Sequence, residues 1–128
     1  MNGNLVDTNV IIRVLKGQTE LFPLFDDMEN LFVSSITAGE LMYGAALSKM
    51  KDDNTENYLS FCRQMNVIVP DIEVSKMYGK IKAQLKADRK PIPENDIWIA
   101  ATAMAGNLTL LTEDKDFLNV KELSLKII

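Results

Sequence analysis

Apolar residues fall along this chain in short β-branched runs separated by longer stretches of helical period. Asn4-Leu5-Val6 is an apolar run closed by Asp7-Thr8-Asn9, the pattern of a buried strand passing into a helix start. Val10, Ile11, Val14 and Leu15 then stand at i, i+1, i+4 and i+5, which predicts a helix stopping at Gly17. Leu21 to Met28 reads as a short helix. Leu31-Phe32-Val33 predicts a second strand, after which Ser34-Ser35 open a helix running to about Lys49. Asp53 and Glu56 have capping-box spacing before a helix whose stripe is Tyr58, Phe61, Cys62 and Met65. Val67-Ile68-Val69, closed by Pro70, predicts a third strand. Val74, Met77, Tyr78, Ile81 and Leu85 mark a long amphipathic helix, and Pro91-Ile92-Pro93 is a stiff break. A further helix spans Glu94 to Ala105 and ends at Gly106. Leu108 to Leu111 is a fourth strand and Leu125 to Ile128 a fifth.

Strands separated by helices specify an α/β fold with a parallel sheet. The chain shows no repeat, linker or low-complexity tract, so residues 1–128 are expected to form a single domain. Right-handed crossovers gather functional groups at the carboxyl ends of the strands, and the helices that return the chain begin at that same edge.

Composition narrows the chemistry. The chain has no histidine and one cysteine, Cys62. Ser-His-Asp and Cys-His catalysis, His-ligated zinc, an internal disulfide and a four-cysteine metal site are thereby excluded. Reactive groups must come from carboxylates, hydroxyls, amides, lysines or arginines. The first residues, MNGNLVDTNVII, carry no basic n-region, and their apolar stretch is broken by Asp7 and Asn9, which predicts no signal peptide. No run approaches the roughly 18 apolar residues of a membrane helix, so a cytoplasmic protein with no membrane association is expected. The net charge of −4 disfavours a chain whose main task is gripping nucleic-acid backbone. Its distribution is uneven, however. Residues 76–90, KMYGKIKAQLKADRK, hold six basic side chains against Asp88 alone, either a solvated helix face or a track for a phosphate backbone.

The acids fall at informative places. Asp7 ends the first strand. Glu40 shares a helix face with Ile36, Tyr43 and Leu47, which predicts an inward position. Asp96 lies in the first turn of its helix with Ile99, Ala100 and Ala103 on its side. Asp114 and Asp116 follow the fourth strand. Each has a structural alternative. Asp7 and Asn95 or Asp96 are candidate N-caps, Thr37-x-x-Glu40 matches a capping box, and Asp114 and Asp116 suit a solvated turn. Taken together, four distant segments each deliver a carboxylate to one end of one sheet. Such charges repel and lose hydration on burial, so the cluster calls for protonation or a cation. Oxygen-only ligands select a hard ion, Mg2+ or Mn2+. A carboxylate-held ion of this kind supports metal-assisted phosphodiester hydrolysis without histidine. Asp7, Glu40 and Asp96 are the expected catalytic metal ligands, directly or through water, with Asp114 or Asp116 completing the set. Thr8, Asn9, Asn95 and Thr112 are candidates to orient a ligand, a water or a phosphate.

In order and spacing, DTNVII at 7–12, SSITAGELMYGA at 34–45, PENDIWIAATA at 93–103 and LLTEDKDF at 110–117 resemble the motifs of PIN-domain ribonucleases, the VapC-type toxins of type II toxin–antitoxin systems above all. The likeness runs from residue 4 to about 123. It implies a PIN-like three-layer α/β/α sandwich with strand order 3-2-1-4-5, and Mg2+- or Mn2+-dependent endoribonuclease activity on tRNA, rRNA or mRNA. It also implies a cognate antitoxin that blocks the site, and a homodimer. Asp7, Glu40 and Asp96 match the family's three principal acids; for the fourth, Asp114 is preferred over Asp116. Three rivals stand beside this: a housekeeping RNA-processing nuclease, a flavodoxin-like phosphohydrolase or receiver, and a non-catalytic binding module. Asp7-Thr8-Asn9 lacks the Asp-x-Asp of haloacid-dehalogenase-type phosphatases. Trp98 is expected to be buried against the sheet or at a dimer contact, with base stacking as its alternative role. The methionines and Cys62 are expected to fill the core or an interface.

Overall fold

The computed structural model describes residues 3–128. Five strands, β1 (Asn4–Val6), β2 (Leu31–Ser34), β3 (Asn66–Ile68), β4 (Thr109–Thr112) and β5 (Leu125–Ile127), form one sheet in the order β3-β2-β1-β4-β5. All four pairings are parallel, with Leu5 opposite Phe32 and Leu110, and Val33 opposite Val67. The order reverses at β1, the central strand, so its carboxyl end is the switch point at which such sheets place their sites.

Five helices cover the sheet: α1 (Thr8–Leu15), α2 (Ser35–Leu47), α3 (Lys51–Arg63), α4 (Ile72–Asp88) and α5 (Glu94–Ala105). The period-2 alternation of the strands divides the core in two. Leu5 and Leu110 face a layer built from Val74, Ile81, Leu85, Ile97 and Phe117. Val6, Leu31, Val33 and Leu111 face the other, with Val10, Ile11, Leu41 and Cys62. Burial raises the Cys62 thiol above its ordinary pKa, which keeps it unreactive. The two layers with the sheet between them make the α/β/α sandwich expected from the motifs. Gly3, just before β1, lies against β2 so closely that a Cβ there would sit 2.4 Å from the Phe32 ring. Gly17, at φ +87°, terminates α1 in a conformation glycine adopts without steric cost.

Several sequence expectations shift. Residues 21–28 do not form an α-helix; two 3-10 turns, Thr19–Phe25 and Met28–Asn30, stand there, with Pro23 inside the first. Asp53 does not cap α3, because the helix already begins at Lys51 after Met50, leaving Asp52 and Asp53 in its first turn, where they complement the helix dipole. The largest correction concerns α2. Its buried face is Thr37, Leu41 and Ala45, whereas Tyr43 and Leu47 are 68% and 70% exposed. This helix is apolar almost all the way round, so periodicity permitted two stripes. Glu40 therefore stands at the border between the buried and exposed faces and not on the inward face.

Candidate active site

Asp7 directly follows β1, and its backbone N–H continues the ladder by donating to the Leu111 carbonyl at 2.9 Å. Its side chain caps α1, as the structural alternative supposed, with Oδ1 accepting from the Thr8 N–H at 2.8 Å. The cap uses one oxygen. The other, Oδ2, accepts from the Thr112 hydroxyl at 2.7 Å and from Asn9 Nδ2 at 3.1 Å. Asp7 is 3% exposed, the only buried carboxylate among the described residues. Burial raises its pKa above the ordinary carboxylate value against the opposing pull of the Thr112 and Thr8 hydrogen bonds; Glu40 and Asp114 raise it further.

The residues around Asp7 hold one another. Thr112 accepts from the Asp114 N–H at 3.0 Å, and Asn9 Oδ1 accepts from the Glu113 N–H at 3.2 Å. The start of α1 is thus tied to the loop after β4. On the opposite side the Thr8 hydroxyl donates to Glu40 Oε1 at 2.6 Å. Its oxygen lies 3.2 Å from the Thr37 hydroxyl, and since Thr8 has one proton to give, Thr37 is left to donate to Thr8. Thr37 is fully buried. Its sequence context, Thr37-x-x-Glu40, suggests only a capping box. No capping box forms there, because Ser34 caps α2 by accepting from the Ile36 N–H at 3.0 Å.

Asp96 is half-buried in the first turn of α5, whose cap position is Pro93, so neither Asn95 nor Asp96 is the cap. Ile99, Ala100 and Ala103 on its side are all fully buried, as expected. Its pKa is pushed up to about 7, first by burial and then by the charges of Asp7, Asp114, Glu40 and Asp116. That coupling brings the acids of four segments into one electrostatic unit. Asp114 acts on both Asp7 and Asp96, while the exposed Asp116 acts on Asp96 alone. Asp114 also caps the 3-10 turn Lys115–Asn119 by accepting from the Asp116 N–H at 2.9 Å. Asn95 lines a cavity of about 630 Å3 with Glu40, Ile36 and Tyr43.

Every donor in this unit is an oxygen or a side-chain amide, a set that matches hard divalent cations. Among the described residues no three acidic side chains are clustered tightly enough to ligate one ion together. A small octahedral ion keeps several waters and needs only one or two direct carboxylates, so the wider spacing remains compatible with it.

A family description, PIN domain, matches residues 5–123. The chain belongs to the PIN-domain family. Within it the chain resembles Ribonuclease VapC1 of Haemophilus influenzae strain R2866, 30% identical, with 93% of this chain and 92% of that protein aligned. It is 34% identical to Ribonuclease VapC2 of Haemophilus influenzae Rd over 86% of this chain and 85% of that one. Its fold superposes on the DNA-bound VapBC of Salmonella typhimurium with a TM-score of 0.94, at 25% identity and with 99% and 98% of the chains covered. The flavodoxin-like rival falls away with PIN membership. At position 9, where a haloacid-dehalogenase-type phosphatase carries its second aspartate, Asn9 instead serves Asp7 as a donor. No helix among the described residues is long and apolar enough to cross a membrane.

Proposed function

We propose that this chain is a divalent-metal-dependent endoribonuclease, the toxin of a type II toxin–antitoxin pair. The observation that carries this reading is the hydrogen-bonded network that ties Asp7 to Thr8, Glu40, Thr112 and the Asp114 backbone at the carboxyl edge of a PIN sheet, with the half-buried Asp96 raised by the charges of the same acids. The VapC names of the relatives support RNA as substrate.

Asp7, Glu40 and Asp96 would hold Mg2+ or Mn2+, directly or through water, with Asp114 as the fourth acid and Asp116 outside it. The ion supplies charge neutralisation and polarisation of a phosphoryl oxygen. The chain supplies the fixed geometry. Thr8, Asn9 and Thr112 hold Asp7 through three donors, so this carboxylate keeps one orientation at little further entropic cost. Thr8, backed by Thr37, fixes Glu40 in the same way. Asn95, which lines the adjoining cavity with Glu40, would orient a phosphate or a water.

The solved complex of the Salmonella relative contains its VapB partner. Tyr43 and Leu47, exposed on α2, and Met50, exposed in the turn that follows it, are apolar surface that supports an antitoxin covering the site. Val67, Val69 and Ile72, exposed at the β3 edge, support a homodimer.

The test is cleavage of single-stranded RNA and tRNA by the purified chain in Mg2+ or Mn2+, with EDTA as control. Metal-dependent internal cuts, lost in Asp7→Asn and Asp96→Asn, are expected. Intact RNA in every metal would overturn the ribonuclease reading and favour a binding module.

A further inference from the structure

The basic stretch at 76–90 has no role in the acidic site, yet α4 ends beside the helix that carries Asp96. Helices α4 and α5 pack antiparallel, with Tyr78 stacked on Trp98 at 4.1 Å between ring centroids and Lys82 paired to Glu94 at 3.1 Å. Trp98 is thus stacked on α4 while it also packs, half-buried, against the core layer that contains Leu5 and Leu110 of the sheet. Where the two helices diverge, around Pro91 and Ile92, they leave a cavity of about 330 Å3. Lys82, Lys86 and Arg89 rim it, and Leu85, Ile92 and Ile97 lie beneath.

We propose that this groove is a subsite for the single-stranded RNA substrate, seating a base on its apolar floor and the flanking phosphates on its cationic rim. It rests on the ribonuclease reading above. Charge complementarity favours this occupant. In a chain of net charge −4, three cations meet at one groove whose single acid, Glu94, is already paired with Lys82. Lys86 and Arg89 make no ion pair among the described residues. Their aliphatic stems and Pro91 supply apolar wall, and the volume falls in the range of small-ligand sites.

Position favours it too. Glu94 borders this groove, Asn95 the cavity beside Glu40, and Asp96 belongs to the acidic unit. The first turn of α5 therefore separates groove from acids by about one helix diameter, roughly 10–12 Å. A strand held at the acids reaches the groove by passing over that turn. The end of α4 gives a further reason. Arg89 occupies the left-handed C-terminal position of the helix at φ +57°, with the Lys90 N–H donating to the Leu85 carbonyl at 3.0 Å. Glycine or asparagine fits that position more easily. The arginine that stands there leaves its side chain unpaired on the rim, free to meet a phosphate.

The experiment is steady-state cleavage of a single-stranded RNA of about 16 nucleotides, the upper span of common single-strand sites, by the full chain. Lys86→Gln, Arg89→Gly and their combination are compared with the parent across a range of salt. Each single change is expected to raise KM about fourfold and the pair roughly tenfold, with kcat unchanged. The dependence of log KM on log salt should shallow by about 0.7 for each cation lost. Arg89→Gly should melt at the parent's temperature or above it, an outcome that separates lost charge from lost structure. A parent that cleaves while the double variant keeps its KM and salt slope overturns the subsite, whether or not that variant loses affinity for poly-glutamate, the sign of an acidic protein partner. A fall in kcat at constant KM overturns it equally. If the parent cleaves no RNA, the ribonuclease reading is what fails. Fluorescence anisotropy of the same RNA in EDTA then decides the groove, which weaker binding by the double variant supports and equal binding refutes.

Discussion

The two edges of the sheet carry cavities of similar size, each bordered by one carboxylate, and differ in what that carboxylate is tied to. At the amino edge a space of about 590 Å3 is bordered by Ala103, Met104, Asn107, Leu108 and Thr109, with Glu122 its only ionisable side chain. At the carboxyl edge the space of about 630 Å3 borders Glu40, which Thr8 links to the buried Asp7 and its partners. Volume does not distinguish a site here. Convergence of carboxylates around a buried one does, and the parallel topology brings that convergence to the carboxyl edge.

The largest effect expected from breaking this contrast comes from the acids themselves. Asp7→Asn and Asp96→Asn should each lower cleavage by ~100-fold or more, since even indirect supports of a metal site are worth 10–100-fold. A quenched-RNA fluorescence assay reads this. Next come the hydroxyls. Thr8→Val and Thr112→Val keep shape and remove the donors to Glu40 and Asp7, and cleavage should fall by about tenfold, with a higher Mg2+ concentration needed for half-maximal rate. Retained metal affinity in both variants would show that the hydrogen bonds are dispensable.

The third expectation concerns pH. Asp96 is raised from 3.8 to about 7 in the fold, so between these values the native state binds more protons than the unfolded chain. In metal-free buffer stability should therefore fall as pH rises from about 4 to about 7 and level off above. Asp96→Asn should flatten that part of the profile, giving the variant its greatest advantage over the parent above pH 7. Solvent access to this half-buried group keeps the difference modest. Thermal melts in EDTA at pH 5 and pH 8 measure it, and added Mg2+ should stabilise the parent more at pH 8, by mass action. The smallest effect belongs to the other edge. Ser124→Ala removes a 2.8 Å hydroxyl contact with Thr109 and should leave cleavage within about twofold, because that exposed pair is worth only about 1 kcal/mol and touches no acid.

Most of the fold was legible because its strands are short apolar runs and its helices carry one-sided stripes. The strand runs at residues 4, 31, 67, 108 and 125 all pair, and the helix written as Glu94 to Ala105 has those bounds. Legibility failed where the pattern carries no direction. α2 is apolar on nearly every face, so only packing against α3 and the sheet decides that Leu41 turns inward and Tyr43 outward. The 3-10 turns at 19–30 share helical spacing but contain a proline that longer helices exclude. The positions of Asp7 after β1 and Asp96 in the first turn of α5 were readable from the edge rule, whereas the facing of Glu40 was not. The service of Thr37 to Thr8, 29 positions away, was not, because a buried threonine on a helix has no local signature. The groove at the end of α4 was visible only as a count of lysines until α5 gave it a second wall.

Asp7 holds two posts at once, tying off the first turn of α1 with one oxygen and gathering Thr112 and Asn9 with the other. Because that turn itself presents Thr8 and Asn9, damage at this carboxylate spreads to the groups that brace it. Combined changes at Asp7 and Thr112 should accordingly harm the protein less than the sum of their separate harms, and the site's evolution toward new chemistry would have to move these residues together.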